Sequence, residues 1–218
     1  MPPRYQMLVF DWDGTLIDSP STIVHCIQSA CRDLGLDVPD HATSSHVIGL
    51  GLNDALSHVA PGLAHGDYRQ IAERYRYHFV SRDASIPLFQ GTLAMLDALS
   101  QRGHVLTIAT GKSRAGLERS LDATGTRHRF ADWRCADQCA PKPAPDMLHE
   151  LMDIFGVTAA ATLMIGDTTH DLQMAANAGV PAVAVSHGAH PAKSLAMMNP
   201  LACVAGTAEL TQWLISNA

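Results

Sequence analysis

The 218-residue chain is 47% hydrophobic and 17% charged, with a formal net charge of −6. That much apolar material can bury the core of one large domain, or of one domain with a small insert, and argues against disorder. The acidic balance speaks against a general nucleic-acid or anionic-membrane binder, because both need a basic surface, and it means that any anionic phosphate handled here requires a cation supplied locally.

The first element is the apolar run Met7-Leu8-Val9-Phe10, which reads as a strand buried on both faces and ends at Asp11 and Asp13. Helical patterns follow at 20–34, 44–58 and 67–82, separated by turn-rich pieces such as Asp37-Val38-Pro39-Asp40 and Ala60-Pro61-Gly62, with no strand-like run among them. From there on, strands and helices alternate. Helices are expected at 91–102, 113–124, 144–156, 169–178 and 207–216, and strands at 105–109, 162–165 and 182–185, with a weaker one at 202–205. This alternation implies a parallel sheet with right-handed crossovers, hence a doubly wound α/β fold. The interruption implies an inserted helical cap over residues 19–88, the core being 1–18 and 89–218. No stretch approaches the roughly 20 apolar residues that span a bilayer, and no apolar signal core opens the chain. The cysteines at 26, 31, 135, 139 and 203 are odd in number and form no CxxC pair, so reduced thiols and a cytoplasmic protein are the expectation.

Open α/β sheets bind ligands at the carboxyl ends of their strands, so the residues just after each run carry the information. These are Asp11-Trp12-Asp13-Gly14-Thr15, Thr110-Gly111-Lys112-Ser113 and Gly166-Asp167-Thr168-Thr169-His170-Asp171. Asp11 and Asp13, two apart, can aim to the same side, and their repulsion calls for a cation, a shared proton or a substrate. Asp167 and Asp171 add two more carboxylates. Oxygen donors without a Cys or His cluster favour Mg²⁺ over Zn²⁺. A carboxylate such as Asp11 can attack phosphorus without a base, while Asp13 can protonate the leaving oxygen and later take a proton from water. Thr110 and Lys142 would add a hydroxyl donor and a fixed positive charge.

Phe10-Asp11-Trp12-Asp13-Gly14-Thr15-Leu16, Thr110 in Ala109-Thr110-Gly111-Lys112, Lys142 in Pro141-Lys142-Pro143-Ala144-Pro145, and Gly166-Asp167-Thr168-Thr169-His170-Asp171 stand in the order of four motifs. Together they resemble the haloacid dehalogenase-like hydrolase superfamily, and within it the phosphoglycolate phosphatase-like group. The resemblance covers nearly the whole chain and implies a Rossmann-like core with a helical cap. It implies a Mg²⁺-dependent phosphatase acting on a small phosphorylated metabolite such as phosphoglycolate through an aspartyl phosphate. Asp11 matches the nucleophile and Asp13 the acid/base. Asp11, the main-chain carbonyl of Asp13 and Asp167 match the metal ligands, with Asp171 in support. Thr110 and Lys142 match the phosphate-binding pair, beside Gly111.

A phosphomutase acting on a sugar phosphate would share this apparatus, and an inactive phosphate-binding module would share its fold. A dehalogenase has no need of an acid at Asp13. Several residues also have plain structural explanations. Asp171 suits a helix N-terminus. Lys142 suits a stiff proline loop, and Lys112 and Arg114 suit a solvated helix start. His170 suits packing or exposure, and His187 and His190 suit a loop at the crevice rim. Gly49-Leu50-Gly51 reads equally as a loop tip reaching the site or as a helix start. Nucleic acid and membrane are not expected partners, and monomer and homodimer both stay open.

Overall fold

The computed structural model describes residues 3–64 and 66–218. Its centre is one six-stranded parallel sheet in the order β3-β2-β1-β4-β5-β6. The strands are β1 (Met7–Phe10), β2 (Val105–Thr110), β3 (Asp132–Cys135), β4 (Thr162–Gly166), β5 (Ala182–Val185) and β6 (Ala202–Val204). Alternate side chains of β1 enter opposite cores, as a period of two requires: Met7 and Val9 on one face, Leu8 and Phe10 on the other. Both faces are covered, which is why β1 reads as an unbroken apolar run.

Between β1 and β2 run α1 (Pro20–Asp33), α2 (His41–His46), α3 (Leu52–Val59), α4 (Asp67–Asp83) and α5 (Thr92–Gln101). After β2 come α6 (Arg114–Thr124), α7 (Asp146–Phe155), α8 (Thr169–Asn177), α9 (Ala192–Ala196) and α10 (Thr207–Asn217). Helices α7 and α8 pack on the Met7/Val9 face, and α5, α6 and α10 on the Leu8/Phe10 face. Helices α1 and α4 pack along each other. The segment before α1 lies beside the segment before α5, where Asp18 N–H donates to Pro87 O (2.9 Å) and Phe89 N–H donates to Leu16 O (3.0 Å).

Two expectations need correction. The pattern at 44–58 is two helices, because the chain turns at Gly49, whose φ is +93°, and restarts with Gly51 as the N-cap of α3. Strand β3 carries Asp132, Trp133 and Arg134 half-buried at the sheet edge, so it has no apolar run to betray it. No helix among the described residues is long and apolar enough to cross a membrane.

All five cysteines are free: Cys26, Cys31 and Cys135 are buried, Cys139 is half-buried and Cys203 is exposed. Burial pushes the thiol of Cys135 up to about 12 and that of Cys139 up to about 11. Because the thiolate is the reactive form, Ellman's reagent at pH 8 is expected to titrate Cys203 rapidly in the native protein. The other four should respond only after denaturation; fast modification of Cys135 would contradict this packing.

Candidate active site

The strand order reverses direction between β1 and β4, the place where such sheets open a crevice at their carboxyl ends. Asp11 stands at the end of β1, and its N–H donates to Ile165 O of β4 (2.9 Å). Asp167 and Asp171 follow β4, so three carboxylates from two adjacent strand ends meet, with oxygens all within 4.8 Å of one another. All three are buried.

One ammonium serves this group. Lys142 lies on the loop before α7, fully buried, and donates to Asp11 Oδ1 (2.5 Å) and Asp171 Oδ1 (2.6 Å). Burial works against its charge, but Asp11 and Asp171 outweigh that, and its pKa stands above the ordinary lysine value. Asp171 Oδ2 accepts from the N–H (3.0 Å) and hydroxyl (2.7 Å) of Thr168, closing a capping box at the start of α8. The capping role and the ion pair with Lys142 therefore coexist in Asp171. Asp167 accepts from the Thr15 hydroxyl (2.8 Å) and from Ala189 N–H (2.7 Å), and burial together with Asp171 raises its pKa to about 7. Asp11 is also pushed well above the carboxylate range, by burial first, with Lys142 opposing and Asp171 and Asp167 reinforcing. Among the described residues, nothing donates to Asp11 Oδ2. Three buried carboxyl groups share one ammonium, so ionising all of them would leave the cluster with surplus negative charge.

Asp13 points elsewhere. Its Oδ1 accepts from the Ser19 hydroxyl (2.7 Å) and from Lys112 Nζ (3.3 Å). Gly14 makes the turn just after Asp13 at φ +85°, and a Cβ there would collide with the Asp167 carboxylate. Trp12 is buried on the opposite side and donates from Nε1 to Ser120 (2.9 Å), which fixes the loop between the acids. Thr110 ends β2 with its hydroxyl accepting from Lys112 N–H (3.2 Å), and the carbonyls of Gly49 and Leu50 press on Gly111 so closely that no side chain would fit. The segment Gly49-Leu50-Gly51 thus reaches the loop after β2 and also starts α3.

Lys112 is not a solvated helix-start residue. Its side chain is 9% exposed, lies 4.4 Å from the centre of the Phe79 ring and stands 3.9 Å from Asp83 at the end of α4. Arg114 does fit that description, pairing with Glu118 in solvent. Ser19 and Thr15 escape sequence reading because hydroxyls after a strand are common; what could have found them is their closeness to Asp13 and Asp11. His46, His170 and His190 also gather, one nitrogen of each within 4.8 Å of the others. Three of the four ring nitrogens of the last two are engaged by protein. His190 Nδ1 accepts from Thr169 N–H (3.0 Å), so its Nε2 donates to His46 O (3.1 Å), and His170 Nε2 donates to the same carbonyl (2.8 Å). Through the His46 carbonyl these imidazoles hold the end of α2 against the start of α8 and the loop before α9. His187 donates to Thr15 O (3.2 Å) against the Phe89 ring.

A family model described as haloacid dehalogenase-like hydrolase matches residues 8–185. The chain is 37% identical over 200 residues to "Probable phosphatase IndB" of Dickeya dadantii, covering 89% of this chain and 86% of that one. It is 32% identical over 216 residues to a 5'-nucleotidase of Pseudomonas aeruginosa, covering 98% and 97%. To a phosphoglycolate phosphatase of Rhodospirillum rubrum it is 30% identical over 217 residues, covering 95% and 90%.

Proposed function

The chain belongs to the haloacid dehalogenase-like hydrolase family, and from that premise we propose that it is a phosphoric monoester hydrolase acting on a small phosphorylated metabolite. The observation that carries this reading is the free oxygen of Asp11. Lys142 holds Oδ1 in place while Oδ2, buried and without a donor among the described residues, is left to attack. Attack by Oδ2 on phosphorus breaks the ester P–O bond and leaves an aspartyl phosphate, splitting one displacement into two. Asp13, oriented by Ser19 and Lys112, gives its proton to the departing alcohol oxygen. The same carboxylate then takes a proton from the water that cleaves the aspartyl phosphate, releasing inorganic phosphate and regenerating Asp11. Thr110, Gly111 and Lys142 are suited to hold the phosphoryl oxygens as charge gathers on them.

The surplus negative charge that Asp11, Asp167 and Asp171 would carry when ionised, with oxygen as the sole donor type, fits a hard divalent cation. Mg²⁺ would be held by Asp11, Asp167 and the main-chain carbonyl of Asp13, with Asp171 in support, since the Asp13 side chain is turned to Ser19 and Lys112. When bound, it supplies charge neutralisation between an anionic nucleophile and an anionic ester.

Residues 19–88 are read as a cap, supported by the paired exit and return of the chain at Asp18 and Phe89 and by the contact of Gly49 and Leu50 with Gly111. The resemblance puts phosphoglycolate first among substrates, and the nucleotidase relative puts a nucleotide beside it. Phosphate release from p-nitrophenyl phosphate is expected with Mg²⁺ and is expected to vanish with EDTA. No release above background in folded, Mg²⁺-supplied protein would overturn the reading.

A further inference from the structure

Above Asp11 and Asp13, between the sheet end and α1, α3 and α4, lies a cavity of about 630 Å³. Clefts of roughly 300–1,000 Å³ enclose ligands of drug size, well beyond a two-carbon phosphate ester. Such an ester would leave much of the volume to water held against apolar walls. Those walls are Ile23 and Ile27 from α1, Leu52 and Leu56 from α3, and Phe79 and Val80 from α4.

Two further features describe what the cavity suits. Tyr75 stacks on Phe79, ring centres 5.6 Å apart and planes 17° apart, and both line the cavity. The Tyr75 hydroxyl has no hydrogen-bond partner among the described residues, so a polar group of a ligand can claim it. The cations nearest Asp13 and Asp83, buried Lys112 and half-exposed Arg119, by contrast, already face carboxylates. Lys112 is 3.3 Å from Asp13 and 3.9 Å from Asp83, and Arg119 is 3.6 Å from Asp83. Arg76 makes no ion pair among the described residues, but it stands exposed at the rim. A second negative charge on the leaving group would therefore sit beside Asp13, Asp83 and hydrocarbon without a cation of its own, which is unfavourable.

We propose, resting on the phosphatase reading above, that the site takes phosphate monoesters of an uncharged, ring-bearing alcohol of nucleoside size. The ring lies between the apolar walls next to Tyr75 and Phe79, and the Tyr75 hydroxyl bonds its polar edge. Carboxylated two-carbon esters are then poor substrates.

The test compares kcat/KM for uridine and adenosine 5'-monophosphates with that for phosphoglycolate, p-nitrophenyl phosphate serving as the generic ester, all with Mg²⁺. At least one nucleotide is expected to exceed phosphoglycolate by about tenfold or more, in line with what pocket contacts of this kind discriminate. Val80→Trp, which narrows the cavity from a position already 51% exposed, and Tyr75→Ala should each lower the nucleotide-to-phosphoglycolate ratio by about tenfold. Thermal melts establish that both variants are folded. Phosphoglycolate equal to or better than both nucleotides, or a ratio unchanged in both folded variants, overturns the proposal. Hydrolysis of p-nitrophenyl phosphate without hydrolysis of either nucleotide overturns it while leaving the phosphatase reading standing; no release from any ester overturns both.

Discussion

Asp11→Asn is expected to reduce phosphate release by roughly 10⁴–10⁶-fold, the scale seen when a covalent nucleophile is removed, and to eliminate the phosphoenzyme. The amide is isosteric but cannot form the aspartyl phosphate. Its effect on the fold has the opposite sign. Asp11 is a buried carboxylate beside Asp167 and Asp171, and burial already disfavours its charged form. Losing that charge relieves repulsion while Lys142 keeps its pair with Asp171. In metal-free protein the melting temperature should therefore hold or rise. Asp13→Asn should retain the fold and slow both half-reactions, by roughly 10²–10⁴-fold, as expected for loss of a positioned acid and base. Rapid-quench measurement of phosphoenzyme with ³²P-labelled ester separates the two variants. Wild-type turnover in either would remove that residue from its assigned role.

Lys142→Ala strikes the same cluster from the other side. It withdraws the ammonium that serves Asp11 and Asp171, leaving buried carboxylates uncompensated, a change that typically costs about 3–5 kcal/mol. For a domain of this size that corresponds to a fall in melting temperature of roughly 6–20 °C. A surface lysine in a stiff loop would cost within about 0.5 kcal/mol, so the melt alone distinguishes the two explanations of Lys142. Mg²⁺ should raise the melting temperature of the variant more than that of the wild type, because a cation at the cluster replaces part of the missing positive charge. A melting temperature unchanged in EDTA would show that the buried pair does not hold this region together. Activity is expected to fall in parallel, since the group that orients Asp11 and would face the phosphoryl oxygens is gone.

Much of the architecture was legible because the strands at the middle of a parallel sheet have no solvent face. Met7–Phe10, Val105–Thr110 and Thr162–Gly166 could be read as strands for that reason, and the polar residues that end them marked the crevice. Strand β3, at the edge and half-exposed, had no such signature. The break between α2 and α3 was hidden because a glycine pair within a periodic pattern reads either as a tolerated interruption or as a turn, and the choice depends on Gly111 lying against it.

The candidate site divides along the same line. Asp11, Asp13, Thr110, Asp167 and Asp171 could be put forward from residue type and position after strands, and Lys142 from its place in the motif order, since those properties are carried by the chain itself. Their division was not. That Asp11 joins Asp167, Asp171 and Lys142 while Asp13 turns to Ser19 and Lys112 depends on which groups lie across 6 to 160 residues of sequence, and on burial that makes each unpaired charge costly. The sequence by itself therefore determined the central strands, the run of helices between β1 and β2, and the polar residues that follow the strands. Only the tertiary structure decided which acid keeps a free oxygen, which histidines clasp α2 to the core, and how much space stands above Asp11, because hydrogen bonds, ion pairs and cavities belong to neighbours in space and leave no period in the chain.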